Sequence, residues 1–428
     1  MTSLSNTDRS VAGRGALGAA GPWILAALLL GVLPMLFGSP SSVTIMNQMA
    51  ITIVFALSYN MLLGQAGMLS FGHAVYMGLG GFFAMHVLNW IEEYELTLPL
   101  PFLPLIAGLF AMLMAALIGL FSTRRAGTVF AMISLGVGEL VAACSVIIVA
   151  FFGGEEGVSG DRTVAPFLGM EFLHPEDVYY LIAFWLLLSA LGMYLFSLTP
   201  LGRMANAVRD NPERAEFLGY SARWVRYGSF VASGFFAGVA GGLFAINYEI
   251  LTEENLNLAT SGMILLVTFL GGTGYFVGPV VGAVVFTLLQ SVLSLQTEIW
   301  QLYVGILFVA TVMFFPQGLA GLIAMHGPAM RAGRLGSLAG PYARVLIPGA
   351  IGAAGVAALF EMFHHLRTAA PGDEAMTLFW ITFDTHSAAP WIAAAAAAAG
   401  GLFLAARGAP AMRAAWDEAN RIAQGGAK

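Results

Sequence analysis

The residues in this chain best suited to a chemical task sit in residues 201–220, a polar stretch between two apolar runs. Asp210 or Asn211 can cap a helix that begins at Pro212, a residue tolerated in a first helical turn. Glu213 and Glu216 then lie at the positive end of that helix's dipole, and Gly219 offers a stop. The chemistry on offer is docking rather than bond-making. Ala215, Phe217 and Leu218 form an apolar edge, with Arg209, Glu213, Arg214 and Glu216 as charges around it. The same residues also read as an ordinary basic loop that fixes the orientation of a membrane protein.

A second constellation is uncharged. Residues 64–81 are dense in glycine inside an apolar region, a pattern ill-suited to a plain lipid-facing helix. Irregular backbone at membrane depth is tolerated where it is buried or lines a cavity. This predicts a broken helix beside a conduction path, with Asn60, Gly64, Gln65, Gly67, Ser70, Gly72 and His73 near it. The alternative is that these glycines only allow helices to cross closely, with His73 as a hydrogen-bonded structural residue. Glu139 is a carboxylate near the middle of another apolar run. A charge there costs about 2.5–3.5 kcal/mol on insertion scales and tends to face the bundle interior or a water-filled cavity. It reads either as a polar group on the path or permease interface, or as a protonated or paired structural Glu.

Several chemistries are excluded. A phosphate-cradling loop of the form G-x-x-x-x-G-K-[ST] needs a lysine, and the only lysine is Lys428. The chain therefore cannot supply its own ATPase; the energy comes from a partner or an ion gradient. The sequence shows no catalytic triad, metal-spaced His/Glu cluster or nucleic-acid module. The lone Cys144 rules out an intramolecular disulfide and reads as helix packing. His364, His365 and His386 fall on one expected external loop, where scattered histidines are usually not metal ligands.

The elements that hold these residues follow from composition. Charged residues make up only 10% of the chain and hydrophobic residues 58%, against about 25% charged in soluble domains. Apolar runs of about the length needed to cross a bilayer predict spans at 22–38, 43–63, 66–90, 101–121, 127–152, 178–198, 228–247, 259–272, 276–295 and 300–323. Two more follow at 345–363 and 388–406. The expected fold is an all-α polytopic membrane protein, with about ten core helices, one of them broken and Gly-rich, and two extra C-terminal helices. The run 259–272 is short and Gly-ended, a half-helix or part of its neighbour. Residues 22–38 read as an uncleaved first span rather than a signal peptide. With the N-terminus inside and spans alternating, every one of the 18 basic residues except Arg162 and Arg367 falls inside, as the positive-inside rule requires. That set includes Arg331, Arg334 and Lys428. The outer loops are acidic instead, with Glu92, Glu93, Glu95, Glu155, Glu156, Asp161, Glu249, Glu253 and Glu254. The expected organisation is a cytoplasmic segment 1–21, a transmembrane domain 22–323, a basic linker 324–344, two added helices within 345–406 and a cytoplasmic tail 407–428. The Ala-rich run 393–399 reads as close helix packing.

Particular motifs carry a family resemblance. Asn60 through Gly64, Gly67, Ser70-Phe71-Gly72-His73-Ala74 resembles the N-L-L-x-G-x-x-G-x-x-S-F-G-H-A stretch of LivM-type branched-chain amino acid permeases. So do Phe130 to Glu139, Gly153 to Gly160, Leu201-Gly202-Arg203 through Gly219, Leu270 to Gly274 with Gly278-Pro279, and Phe315 to Leu319. Glu213, Ala215 and Gly219 resemble the E-A-A-x-x-x-G signature of ABC importer permeases, with Arg214 in place of its middle Ala. The similarity runs over roughly residues 43–323. It implies a permease of the bacterial inner membrane with both termini cytoplasmic, carrying branched-chain amino acids or a related small polar solute such as urea or a short amide. It implies as partners a second related permease, two ATPase subunits that hold ATP-Mg, a periplasmic binding protein and membrane lipid, with no cofactor on this chain itself and no nucleic acid. In that family the 212–219 helix docks into the ATPase. The rival reading is an ion-coupled secondary transporter, which predicts carboxylates at helix breaks; Glu139 does not lie in the Gly-rich segment. A weak echo between Leu63-Gly64-x-x-Gly67 and Leu270-Gly271-x-x-Gly274 is compatible with a parallel repeat or with chance. Residues 326–428 depart from the family pattern.

Overall fold

The fold comes from a computed structural model that describes residues 6–167, 169–327, 330, 333, 335–369, 375–378 and 380–425. The chain divides into two compact units, one of residues 1–291 and 308–320, the other of residues 292–307 and 321–428. The C-terminal unit thus claims 292–307, a segment expected to belong wholly to the first bundle. Arg331, Arg334 and Lys428 of the charge pattern lie outside the described residues.

Among the described residues the first unit is built of helices, with one short ribbon, one isolated bridge and irregular connections between them. Its helices are α1 (Asn6–Leu36), α2 (Pro40–Asn60), α3 (Ala74–Tyr94), α4 (Leu103–Ser122), α5 (Thr128–Ile147), α6 (Val149–Phe152), α7 (Pro175–Leu198), α8 (Pro200–Asp210), α9 (Pro212–Phe217), α10 (Ala222–Tyr248), α11 (Leu258–Gly271) and α12 (Gly278–Leu288). Their starts carry readable signals: Ser39 caps α2 ahead of Pro40, and Thr199 caps α8 ahead of Pro200, which satisfies free N–H groups of the first turn. Helices α2, α3 and α10 form the centre. They approach closely because their facing residues lack side chains. A Cβ on Gly80 would stand 2.7 Å from the Gly238 Cα, and one on Gly242 would stand 2.9 Å from the Pro104 Cα of α4. Small residues at such crossings let dispersion contacts between backbones replace a hydrophobic driving force that lipid does not supply.

Among the described residues eight helices are long and apolar enough to cross a membrane, or nine if α13 (Trp300–Phe314) and α14 (Gly318–Met325) count as one span bent by 52°. Twelve spans, with 259–272 a half-helix or part of its neighbour, or another arrangement of the same parity, were expected. The difference lies in interruptions rather than in missing helices. The apolar part of the first helix, Ala20–Leu36, and the segment Gly278–Leu293 are shorter apolar helices. Helix α11 has only 14 residues and stops at Gly272, whose φ of 107° is open to glycine and strained for other residues. The expected span 66–90 begins only at Ala74, because residues 66–73 are irregular.

Loops that the charge alternation assigns to one side do meet. At one end Arg209 reaches Gly64, and Gly64 packs on Thr273. At the other end β1 (Val158–Ser159) pairs antiparallel with β2 (Ile250–Leu251), Val158 opposite Leu251. Arg162, an exception to the charge pattern, lies beside this ribbon and is consumed structurally. Its Nη1 stands 3.5 Å from the Glu249 carboxylate, and its guanidinium donates to the carbonyls of Phe172, Ile246 and Asn247. Two of those carbonyls belong to the last turn of α10, where a helix favours a cation.

The second unit centres on two long helices, α15 (Leu335–Thr368) and α16 (Ala388–Gly425), joined through the hairpin β3 (Ala375–Leu378) and β4 (Ile381–Asp384). The Ala-rich run packs as the sequence predicts. A Cβ on Gly355 would stand 2.7 Å from the Ala394 carbonyl, and Gly401 faces Gly352. Residues 335–344 and 407–425, expected as part of a linker and as a tail, continue these helices, with Pro341 and Pro410 inside them. His364 and His365 likewise belong to α15 and not to the loop that holds His386. No group of three metal-ligating side chains occurs among the described residues.

Candidate functional site

The expected helix break is present and has a definite shape. Helix α2 runs into a single π-turn, Met61–Gln65, a form that marks local strain in a helix. The chain then passes through residues 66–73 before α3 starts, and Gly67 adopts φ 67°. Side chains from elsewhere satisfy its backbone. Phe71 N–H donates to Ser134 Oγ at 3.0 Å, Ala74 N–H donates to Ser261 Oγ at 3.1 Å, and Tyr59 O–H donates to the Ser70 carbonyl at 2.9 Å. Three elements of the bundle, α2, α5 and α11, thus hold one irregular strip in place.

The predicted polar residues fall within this strip. Asn60, Ser70 and His73 are buried, and Gln65 is half-buried. The His73 ring is stacked on Phe55 at 5.5 Å and meets Tyr59 and Tyr76 edgewise. Its Nε2 lies 3.1 Å from Ser58 Oγ. The Ser58 hydroxyl already donates to the Phe55 carbonyl, so Nε2 is the donor of that pair. His73 is therefore held by ring contacts and one hydrogen bond, while its buried Nδ1 has no partner among the described residues. The glycines divide into two kinds. Gly64, Gly67 and Gly72 shape the break, and a Cβ on Gly72 would stand 3.3 Å from the Gly138 nitrogen of α5. Gly78, Gly80 and Gly81 serve close packing instead.

Beyond Phe55 lies an internal cavity of about 160 Å³, lined among others by Gln48, Thr52, Tyr248, Asn255, Thr260 and Gln290. Gln48 Nε2 donates to Gln290 Oε1 at 3.1 Å, and Asn47 Nδ2 donates to Asn247 Oδ1 at 3.0 Å. The sequence reading passed over these amides. Their signal was present: amides inside apolar runs pair across helices.

At the end of the bundle that holds Arg209, α9 is the helix expected at Pro212, and α8 precedes it. Asn211 caps α9, accepting from Arg214 N–H at 2.9 Å, and Gly219 takes φ 87° just beyond it. Ala215 is buried, whereas Glu213, Arg214 and Glu216 are exposed. Phe217 is 91% exposed and Leu218 68% exposed. Large apolar side chains presented so openly beside charges have the composition of a docking edge. Arg209 differs from its neighbours. Though 38% of its side chain is exposed, it reaches back to donate to the Gly64 carbonyl and pairs with Asp210 at 2.9 Å. The two constellations read separately from the sequence are therefore joined.

Glu139 does not face the packed interior. It lies on α5 in an exposed stripe with Val129, Met132, Gly136, Leu140, Ala143 and Ile147, spaced at helical intervals, while Ser134 and Gly138 face the break. The reason is local: one side of α5 is fixed by the 71–72 strip, and residue 139 falls on the flank that this chain leaves uncovered. At the opposite end of the bundle a polar cavity of about 660 Å³ opens among Asn89, Glu92, Asp161, Arg162 and Glu249. The Thr163 hydroxyl and N–H both donate to Asp161 and hold its carboxyl below the usual range.

Residues 41–315 match the family model described as the permease component of the branched-chain amino acid transport system. The chain is 28% identical over 319 residues to the high-affinity branched-chain amino acid transport system permease protein LivM of Escherichia coli, an alignment covering 69% of this chain and 74% of that protein. Shorter stretches resemble the guanosine ABC transporter permease protein NupQ of Bacillus subtilis, at 28% identity over 29% of this chain and 39% of the relative. The autoinducer 2 import system permease protein LsrC of Klebsiella pneumoniae is 30% identical over 35% of this chain and 46% of its own length. No solved structure matches. The matched residues contain the break, the α8–α9 elbow and the α5 stripe, and with most of its length accounted for this way the chain belongs to the branched-chain amino acid transport permease family, of LivM type.

Proposed function

We propose that this chain is the permease subunit of an ATP-driven importer of branched-chain amino acids, driven by partner ATPases that grip the α8–α9 elbow. One observation carries the reading: a capped short helix with Ala215 buried beneath it and Phe217 and Leu218 presented outward. The lack of any lysine but Lys428 supports an external source of ATP hydrolysis. The exposed α5 stripe suits the second permease, with Glu139 at that interface beside the path. The strip 60–73 is the part of the path wall that this chain contributes. A periplasmic binding protein delivers the solute to the acidic end, and the charge pattern favours an inner-membrane location with both termini cytoplasmic. Guanosine and autoinducer 2 figure in the names of relatives, so cargo is expected to vary on this scaffold.

Proteoliposomes test the proposal. Vesicles holding both permeases, the ATPases, the binding protein and ATP should accumulate radiolabelled leucine. Vesicles without the ATPases should not, and accumulation by that second set overturns the reading.

A further inference from the structure

We infer that Arg209 is a positioning residue, a strut that transmits motion of the α8–α9 elbow to the helix break in the translocation bundle. This rests on the importer reading above.

The argument begins with a displaced hydrogen bond. In a regular α-helix the Met68 N–H would reach the Gly64 carbonyl. Here it donates to the Leu62 carbonyl at 3.0 Å, because the π-turn shifts the ladder. The Gly64 carbonyl is left inside the protein in need of a donor, and the Arg209 guanidinium supplies one. The fit is built from both sides. The aliphatic stem of Arg209 lies over Gly67, where a Cβ would stand 2.6 Å from Arg209 Cγ. A side chain at 67 and the arginine cannot occupy the same place.

Position along the chain makes this a lever. Arg209 lies in the last turn of α8, two residues before the cap that starts α9. Any rotation of α9 must carry Arg209 with it. On the far side the break leans on two further breaks. A Cβ on Gly64 would stand 2.6 Å from the Thr273 carbonyl, in the turn between α11 and α12. Gly272, in that same turn, faces Gly318, where the 300–325 span bends. Three interruptions of regular helix thus nest at one end of the bundle, and Arg209 is the side chain that ties the first of them to the elbow. A guanidinium suits the task, since its rigid fork holds a direction as well as a bond.

The test uses the complete complex in proteoliposomes and measures leucine carried per ATP hydrolysed. Arg209→Ala should lower that ratio at least tenfold while the amount of co-purifying ATPase stays within twofold. Arg209→Lys, which keeps one donor, should recover at least a third of the ratio. Gly67→Ala should lower it as well, and less so when combined with Arg209→Ala, because the colliding stem has gone. A ratio within twofold of wild type in Arg209→Ala overturns the strut. So does loss of the ATPases from that variant, which would make Arg209 a docking contact. If the alanine variant does not reach the membrane, the same ratio in Arg209→Gln decides. Failure of the wild-type complex to carry leucine instead sinks the importer reading, and the strut with it.

Discussion

The two units of the chain solve the problem of packing helices in lipid in opposite ways. In the first, α3 and α10 are mostly enclosed, with 78% and 72% of their most apolar windows buried. Their neighbours are interrupted by a π-turn, left-handed glycines and half-helices. In the second, α15 and α16 run without a break, and only 17% of each window is buried. Both use small residues at the seam. In the first, the hydroxyls of Tyr59, Ser134 and Ser261 and the Arg209 guanidinium hold irregular backbone in place, where each unsatisfied group in the membrane would cost several kcal/mol.

The sharpest way to break this comparison is to add bulk to matched glycines. Gly241→Leu would drive a side chain into Met77 and Gly81 of α3 and should abolish the folded complex on detergent size exclusion. Gly400→Leu on α16, which has open space around it, should leave that profile unchanged. Gly72→Leu should behave like the first, because its Cβ meets the backbone of α5; a variant that assembles yet fails in uptake would instead give Gly72 a role in the path alone.

A smaller effect is expected at the docking edge. Phe217→Ala should weaken ATPase association by about tenfold, matching roughly 1.4 kcal/mol, with the bundle's melting temperature unchanged. Equal loss on Phe403→Ala, an exposed residue of α16, would show that α9 is not special. At the opposite end of the bundle, Arg162→Ala removes an ion pair and three donations to carbonyls. It should cost on the order of 1–3 kcal/mol, read as a fall of a few degrees in melting temperature. The smallest effect is expected from Glu139→Gln, because the amide keeps the polar character of the uncovered stripe. Leucine uptake should stay within about threefold, and a fall beyond tenfold would mean that the charge itself is used.

Much of this was legible in the chain because the signals were local. The cap at Asn211 with Pro212, the stop at Gly219 and the glycine-dense strip after Asn60 each declare themselves within a few residues. So does Thr199-Pro200, which announces α8, although that signal went unread. The division of labour among glycines was not legible. Gly67 and Gly80 look alike in sequence, and only the neighbour each meets, Arg209 for one and Gly238 for the other, separates a bend from a crossing. The partner of Arg209 lies 145 positions away, and that of Arg162 lies 87 positions away. No periodicity reports such distances. The surroundings of Glu139 were not legible for a related reason: cost arguments say that a charge avoids lipid, but not whether its shelter comes from its own chain or from another.

The length of the C-terminal pair has a consequence of its own. Helix α16 has 38 residues, or about 57 Å at 1.5 Å per residue, whereas a hydrocarbon core is about 30 Å thick. The surplus carries Arg413, Asp417, Glu418 and Arg421, and it is clasped to α15 where Leu338 and Tyr342 meet Trp416 and Ala419. The difference, roughly 25 Å, is helix that the hydrocarbon core has no room for.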